Sequence, residues 1–313
     1  MVEEKKKKKV GFVNTIFHEG NINTLLGPPG TGKTNLAVYF MEKAEELGYS
    51  VWTTVHFFKY SQVGQACEMG RLPKGIRYRK VPQDVHTVKT LSQLLLGLLE
   101  GRKNIVILDE AGIFASSTSP MSRKVRELKE LAYVIRHLNA SLLLIAQARG
   151  SIAPDLRSTL VTYEMRISKK GRYRNLVVKK ARPVKNDEGE EEVRFVQVGP
   201  IIGGIPLTRF PWDGFFIPKF EFDIKLEEAF NRLGEYNSME ILDEGPRIIK
   251  EMLEEKEEKA LKKKEKGKKK NILKTIKENP TLTSEEIAYI AECSPSYVRD
   301  LRRRSKKGSA TGT

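Results

Sequence analysis

Up to Ser168, apolar positions fall into short unbroken blocks separated by stretches with helical spacing. Asn21–Leu26 reads as a buried strand, closed by the proline- and glycine-rich run Gly27–Thr34. From Lys33 to about Leu47, Leu36, Phe40, Ala44 and Leu47 recur along one helix face, and Gly48 stands where a C-terminal cap belongs. Tyr49–Phe58, β-branched and aromatic, is a second strand; Gly64–Gln83 is polar and irregular. Leu91, Leu94, Leu95, Leu98 and Leu99 mark a helix that stops at Gly101, and Asn104–Asp109 is a third strand, apolar until its carboxylates. Ser119 and Pro120 supply a cap and a first-turn proline for a helix running to roughly Leu138. Ser141–Gln147 and Leu160–Ser168 are the fourth and fifth strands. Strands alternating with helices predict an α/β domain, its parallel sheet covered on both faces.

Beyond Ser168 the pattern changes. Tyr173–Lys180 and Glu192–Val198 read as two strands flanking a charged turn at Asn186–Glu191. A Gly/Pro-rich stretch follows, and Phe222–Leu233 is one more helix of the same domain. Arg247–Ala260 is polar nearly all round and Leu261–Lys270 almost pure lysine, a solvated helix fading into a linker. Asn271–Arg304 regains an apolar pattern. The expected division is a basic segment (1–20), an α/β domain with a β-hairpin extension (21–233), a charged helix and linker (234–270), a small helical domain (271–307) and a tail (308–313).

Composition narrows the function classes. Lys and Arg total 56 against 40 Asp and Glu, a net charge of +16, so the expected large partner is a polyanion. The longest apolar runs, Leu94–Leu99 and Leu142–Ala146, fall far short of the ~20 residues of a membrane span. The lysine run at Met1–Val10 has no apolar signal core behind it, so a cytoplasmic location is expected. Cys67 and Cys293 lie far apart and the four histidines are scattered, which argues against a disulfide or zinc framework.

The chemistry concentrates in two motifs. Gly27-Pro28-Pro29-Gly30-Thr31-Gly32-Lys33-Thr34 fits G-x-x-x-x-G-K-[ST] between a predicted strand and a predicted helix. Glycines let backbone N–H groups turn inward around phosphate oxygens, and the helix N-terminus adds positive potential. Lys33 is placed to reach the β- and γ-phosphates and the Thr34 hydroxyl to ligate Mg²⁺, so ATP and Mg²⁺ are the expected ligands; Asn35 closes the binding run. Ile105-Val-Ile-Leu-Asp109-Glu110 offers Asp109 to the magnesium shell and Glu110 as general base for an attacking water. The fourth strand ends in Gln147, placed to sense the γ-phosphate or hold the water, and one of Arg149, Arg157 and Arg166 is a candidate arginine finger toward a neighbouring subunit.

The loop, the Asp–Glu strand, Ala146-Gln-Ala-Arg149 and Ile152-Ala-Pro-Asp-Leu-Arg157 together resemble the HerA/FtsK superfamily over roughly Asn21–Leu233. That resemblance implies a RecA-like P-loop NTPase core of the additional-strand, catalytic-glutamate type. It also implies a ring, usually a hexamer, that moves double-stranded DNA with ATP, and gives Lys33, Thr34, Asp109, Glu110 and Gln147 the nucleotide and catalytic roles. Ala148 separates Gln147 from Arg149 where many members have Gln-Arg directly. AAA+ proteins share the Gly-Pro-Pro-Gly-Thr-Gly loop but follow their core with a helical lid, where this chain continues into the β-pair Tyr173–Val198.

Two basic regions remain. Arg166, Lys169, Arg174, Lys179, Lys180 and Arg182 crowd one predicted hairpin, either a DNA-phosphate surface or a lysine-protected sheet edge. In 271–304, Pro280 ends a first helix, Thr283-Ser-Glu-Glu286 opens a second as a capping box, and Ser294 and Pro295 open a third. Ile287, Ala288, Ala291, Cys293, Val298 and Leu301 occupy the small and apolar positions of a helix-turn-helix, with Glu292 where glycine is usual. The exposed face of the third helix then presents Ser296, Tyr297, Arg299, Asp300 and Arg303 to the major groove, its early residues reading bases, with Arg302, Arg304 and Lys306 at phosphates. The expected whole is a DNA-translocating or packaging ATPase with a helix-turn-helix, from an archaeal virus or plasmid, with a capsid or replication partner open. The rivals are an AAA+-like or KaiC-like switch in replication and an ATP-regulated DNA-binding regulator.

Overall fold

The computed structural model describes residues 11–100, 102–113, 122–171, 173–185, 191–198, 202–203, 207–216, 220–222 and 238–308. The expected helix start at Ser119–Pro120, the turn at 186–190, most of the helix expected at Phe222–Leu233 and the Met1–Val10 lysines lie outside them.

Three strands with every residue buried form the middle of the main sheet: β1 (Ile22–Leu26), β5 (Asn104–Leu108) and β6 (Ala140–Ala146). Covered on both faces, they need no polar alternation: β5 is apolar after Asn104 and β6 after Ser141, while β1 buries Asn23 and Thr24 among its apolar residues. β2 (Ser50–Thr53), β4 (Val85–Thr87) and β7 (Tyr163–Lys170) complete a parallel array in the order β7-β1-β6-β5-β2-β4. β8 (Tyr173–Lys185), β9 (Glu191–Gln197) and the short β10 (Ile202–Gly203) extend it antiparallel from β7. The two strands expected around the charged turn are therefore β8 and β9, and they continue the main sheet.

Each face has its own helices. α1 (Phe12–Ile16) and α2 (Lys33–Glu46) join one core with Leu25, Val51, Ile105, Ile107, Leu143, Ile145, Met165 and Ile167. Side chains alternate across a strand, so Trp52 points the other way and meets Gly97 of α4 (Leu91–Leu98). The segment expected to be only a basic leader contributes Val13, Ile16 and Phe17 to the core, and the Phe17 ring meets Phe40 edge-on at 5.5 Å.

Tyr49–Phe58 is not one strand. After Thr53 the chain leaves the main sheet: the Thr53 hydroxyl accepts from the Val55 amide at 3.0 Å, and β3 (Val55–Phe57) pairs with β11 (Trp212–Phe216) in a separate two-stranded sheet. The expected irregular stretch contains α3 (Val63–Glu68). α5 (Arg123–Val134) is capped by Ser122, whose hydroxyl accepts from the Val125 amide. Leu160 belongs to a π-helical turn, and the fifth parallel strand begins at Tyr163.

The chain divides into two compact units at Lys250/Glu251. The lysine-rich stretch expected to be a linker is helical: α6 runs unbroken over Ser238–Glu278. Lysine and glutamate are strong helix formers, and pairs one turn apart, Glu255–Lys259 (3.7 Å) and Glu258–Lys262 (2.5 Å), support it. Its last turns supply the first helix of a small core in which Ile272 packs with Ile287 and Ala288 of α7 (Ser284–Ile290) and Val298 and Leu301 of α8 (Pro295–Gly308).

Glycine-to-alanine changes inside helices ordinarily gain up to ~1 kcal/mol. At Gly97 a Cβ would lie 2.0 Å from the Trp52 ring, itself fixed by an indole hydrogen bond to Asn104 Oδ1 at 2.9 Å. Overpacking therefore wins, and Gly97→Ala lowers unfolding free energy by about 1–3 kcal/mol in denaturant titration.

Candidate nucleotide site

The turn from β1 into α2 is built by its glycines. Gly30 and Gly32 hold φ of +73° and +92°, values that side chains disfavour, and Gly32 is the N-cap of α2. Gly27 is required for a different reason. A Cβ there would fall 2.5 Å from the Ile167 carbonyl oxygen of β7, so the loop passes directly against the neighbouring strand. The Thr31 hydroxyl donates to the Pro28 carbonyl at 2.8 Å, and Lys33 Nζ donates to the carbonyls of Gly27 (2.8 Å) and Pro28 (3.1 Å).

β5 delivers the carboxylates. The Thr34 hydroxyl donates to Asp109 Oδ2 at 2.6 Å, and the Glu110 amide donates to Asp109 Oδ1 at 2.8 Å. The Asp109 amide donates to the buried Thr54 hydroxyl at 2.9 Å. Thr54 was invisible to sequence reasoning as a site residue; it reaches Asp109 because the chain turns out of the sheet just after β2. Glu110 follows with φ of +51°, a left-handed conformation rare outside glycine and the kind of local strain that clusters at working sites. β6 lies between β1 and β5, so Gln147 at its end stands between the phosphate loop and the Asp109–Glu110 strand end, where its amide favours the ionised Glu110 carboxylate.

Burial sets the electrostatics. It pushes the Asp109 carboxyl up, against the Thr34 hydrogen bond, the Glu110 amide and the Lys33 charge. Burial, then the charge of Asp109, raise Glu110, while Lys33 and Gln147 oppose the rise. Lys33 is lowered by burial, partly offset by Glu110 and Asp109. A hydroxyl bonded to a buried carboxylate beside a lysine and a helix N-terminus is a donor set that fits a small hard dication carried on phosphate oxygens. Thr34 and Asp109 are the residues that would hold it, and Lys33 would meet the phosphates. Among the described residues no group of three or more His, Cys, Asp or Glu forms a metal cluster.

The other expected site residues have contacts of their own. Asn35 Oδ1 accepts from the Thr208 amide at 3.3 Å, and the buried Glu42 accepts from the Arg209 and Phe210 amides at 2.7 and 3.0 Å, strapping that segment to α2. Arg149 and Arg166 both pair with the buried Glu164, at 3.2 and 2.7 Å, and Arg157 donates to the Arg149 carbonyl at 3.2 Å. Arg174 of β8, expected only as one of the hairpin's basic residues, donates from Nε to the Thr31 carbonyl at 3.3 Å. In the second unit Ser296, Tyr297, Arg299 and Arg303 are exposed, Arg299 lying 3.8 Å from Glu285, whereas Arg302 donates to the module's own Leu282 carbonyl. Glu292 holds φ of +46° in the turn where a glycine is usual.

The fold and this site define a P-loop NTPase in which an added strand separates the phosphate loop from the Asp–Glu strand. No protein-family model and no curated protein sequence matches the chain. Among solved structures it is similar to the N-terminal domain of zonular occludens toxin from Neisseria meningitidis (18% identity, 57% of this chain and 95% of that one, TM-score 0.33). It is also similar to the DNA-packaging ATPase of Sulfolobus turreted icosahedral virus (13%, 56% and 98%, TM-score 0.35). A third is a KaiC-like protein from Pyrococcus horikoshii (18%, 62% and 94%, TM-score 0.34).

A carboxyl whose folded-state value is raised contributes stability only at low pH and loses it as pH rises through that value. Near neutral pH the ionised Asp109 therefore costs the nucleotide-free protein stability. Asp109→Asn raises the thermal midpoint at pH 7 without nucleotide, and the gain shrinks as pH falls; calorimetry across pH checks both.

Proposed function

We propose that the chain is an ATP-hydrolysing motor that acts on double-stranded DNA and works as a ring of identical subunits. The observation that carries the hydrolytic part is the placement of Glu110, its amide bonded to Asp109 beside the Thr34–Asp109 pair. In this reading Lys33 and the loop amides hold the β- and γ-phosphates. Thr34 and Asp109 would hold Mg²⁺, which would supply neutralisation of the phosphate charge. Glu110 accepts a proton as a water oxygen attacks the γ-phosphorus and the bond to the β-phosphate oxygen breaks, leaving ADP and phosphate. Gln147 holds the Glu110 carboxylate in line for that transfer.

Two charged surfaces support a DNA partner. Registers place Lys180, Arg182 and Arg194 on one face of the β8–β9 extension and Arg166 and Lys179 on the other. In the C-terminal unit, α8 exposes Ser296, Tyr297, Arg299 and Arg303 after a tight turn from α7, the arrangement a major-groove reader needs. Phosphate contacts from such groups give salt-dependent binding, and base contacts choose the site. The Lys/Glu-rich composition suits a heat-adapted archaeal virus or plasmid as source. A second reading, a DNA-binding regulator that uses ATP only as a switch, draws on the separate core of the second unit.

Steady-state hydrolysis with linear duplexes of increasing length tests the motor. The rate rises with duplex length, and Glu110→Gln lowers it by about 100- to 10,000-fold while ATP still binds. A rate indifferent to DNA removes the motor and leaves the regulator. Because burial and Asp109 raise Glu110 above the usual glutamate value of 4.5 in the free protein, the acid limb of kcat/KM for ATP lies above that pH; activity falls as Glu110 is protonated.

A further inference from the structure

The β-sheet extension does more than carry charge past the nucleotide loop; it touches the loop. β7 runs parallel to β1, and its Ile167 carbonyl packs against Gly27. One strand further, Arg174 pairs in register with Lys169, two residues beyond Ile167 on the same face, the face that also carries α2. From there its Nε reaches the Thr31 carbonyl at 3.3 Å and lies 3.8 Å from where a side chain on Gly32 would begin. Arg149 and Arg166 are held by Glu164, but no carboxylate among the described residues pairs with Arg174. A guanidinium has five donors, and the Thr31 carbonyl occupies one.

Resting on the nucleotide-binding reading above, we infer that Arg174 is a phosphate ligand of the nucleotide, supplied within the same subunit by the sheet extension. Strand order indicates which phosphates. Asp109, Glu110 and Gln147 stand on the β6–β5 side of β1, where the transferred γ-phosphate must lie. Arg174 approaches from the opposite, β7–β8 side, so its partners are the α- and β-phosphates that ATP and ADP share. Its role is affinity, with little part in bond breaking. It also joins nucleotide occupancy to the strand that bears Lys179, Lys180 and Arg182.

Equilibrium binding of ATP and ADP to the full chain, with Mg²⁺ present, and steady-state kcat and KM for ATP test this. Arg174→Ala weakens ATP and ADP together by about tenfold, raises KM in proportion and leaves kcat within twofold. Arg174→Lys, which keeps the charge, recovers most of the affinity. Arg174→Gln, which keeps a donor for the Thr31 carbonyl but no charge, does not. Unchanged affinities in Arg174→Ala overturn the inference, and so does full recovery by Arg174→Gln, which would make the residue a prop for the loop. A loss confined to ATP or to kcat also overturns it, because it would place the group at the γ-phosphate. A wild type that binds neither nucleotide removes the underlying reading, a result distinct from all of these.

Discussion

The hydrogen bond between Thr34 and Asp109 is the contact on which the rest of the nucleotide-binding unit depends. It ties the first turn of α2 to the end of β5 across an intervening strand, and it works only if three parallel strands end at the same level. That alignment comes from burial. β1, β5 and β6 are buried through their full length and take the middle of the sheet, and the phosphate loop, the carboxylates and Gln147 follow directly at their C-terminal ends. The stability of the two-sided core lets the protein keep a carboxylate that burial disfavours and a glutamate in a left-handed conformation. Neither would persist on a loop held only at its ends.

The antiparallel addition beyond β7 changes what the neighbouring arginines do. Glu164, buried in β7 between β1 and β8, gathers Arg149 and Arg166, and Phe195 of β9 lies under the Arg149 guanidinium at 5.0 Å. A buried carboxylate needs such partners, since leaving it unpaired costs more than a surface ion pair returns. These arginines fasten the extension to the segment after β6. Arg174, on the other face of the same extension, meets the phosphate loop.

The C-terminal unit follows a different logic. Its core is a handful of apolar side chains from the end of α6, α7 and α8, and the capping box at Thr283 and Glu286, with the Thr283 amide donating to Glu286 at 2.7 Å, fixes where α7 begins. Lys274, Arg299 and Arg303 around that core are interleaved with Glu278, Glu285 and Glu292, so charges of both signs face solvent and are screened by salt.

Local signals were legible in the chain itself. The phosphate loop, the Asp109–Glu110 strand end, the capping box and the apolar positions of the last three helices depend on residue type and spacing over a few residues. Backbone conformation and helix or strand period act at that range. Five of the parallel strands were readable for the same reason, while the three-residue edge strand β4 was too short to leave a pattern. Tertiary structure alone decided which strands are neighbours. The insertion of β6 between β1 and β5 put Gln147 on Glu110, the departure of the chain after Thr53 put Thr54 under Asp109, and the pairing of β7 with β1 brought Arg174 to the loop. It also carried α6 through the lysine run, where helix propensity and ion pairs outweighed the expected linker. Strand order and face-to-face packing join residues dozens of positions apart, and the period of a sequence carries no record of such distances.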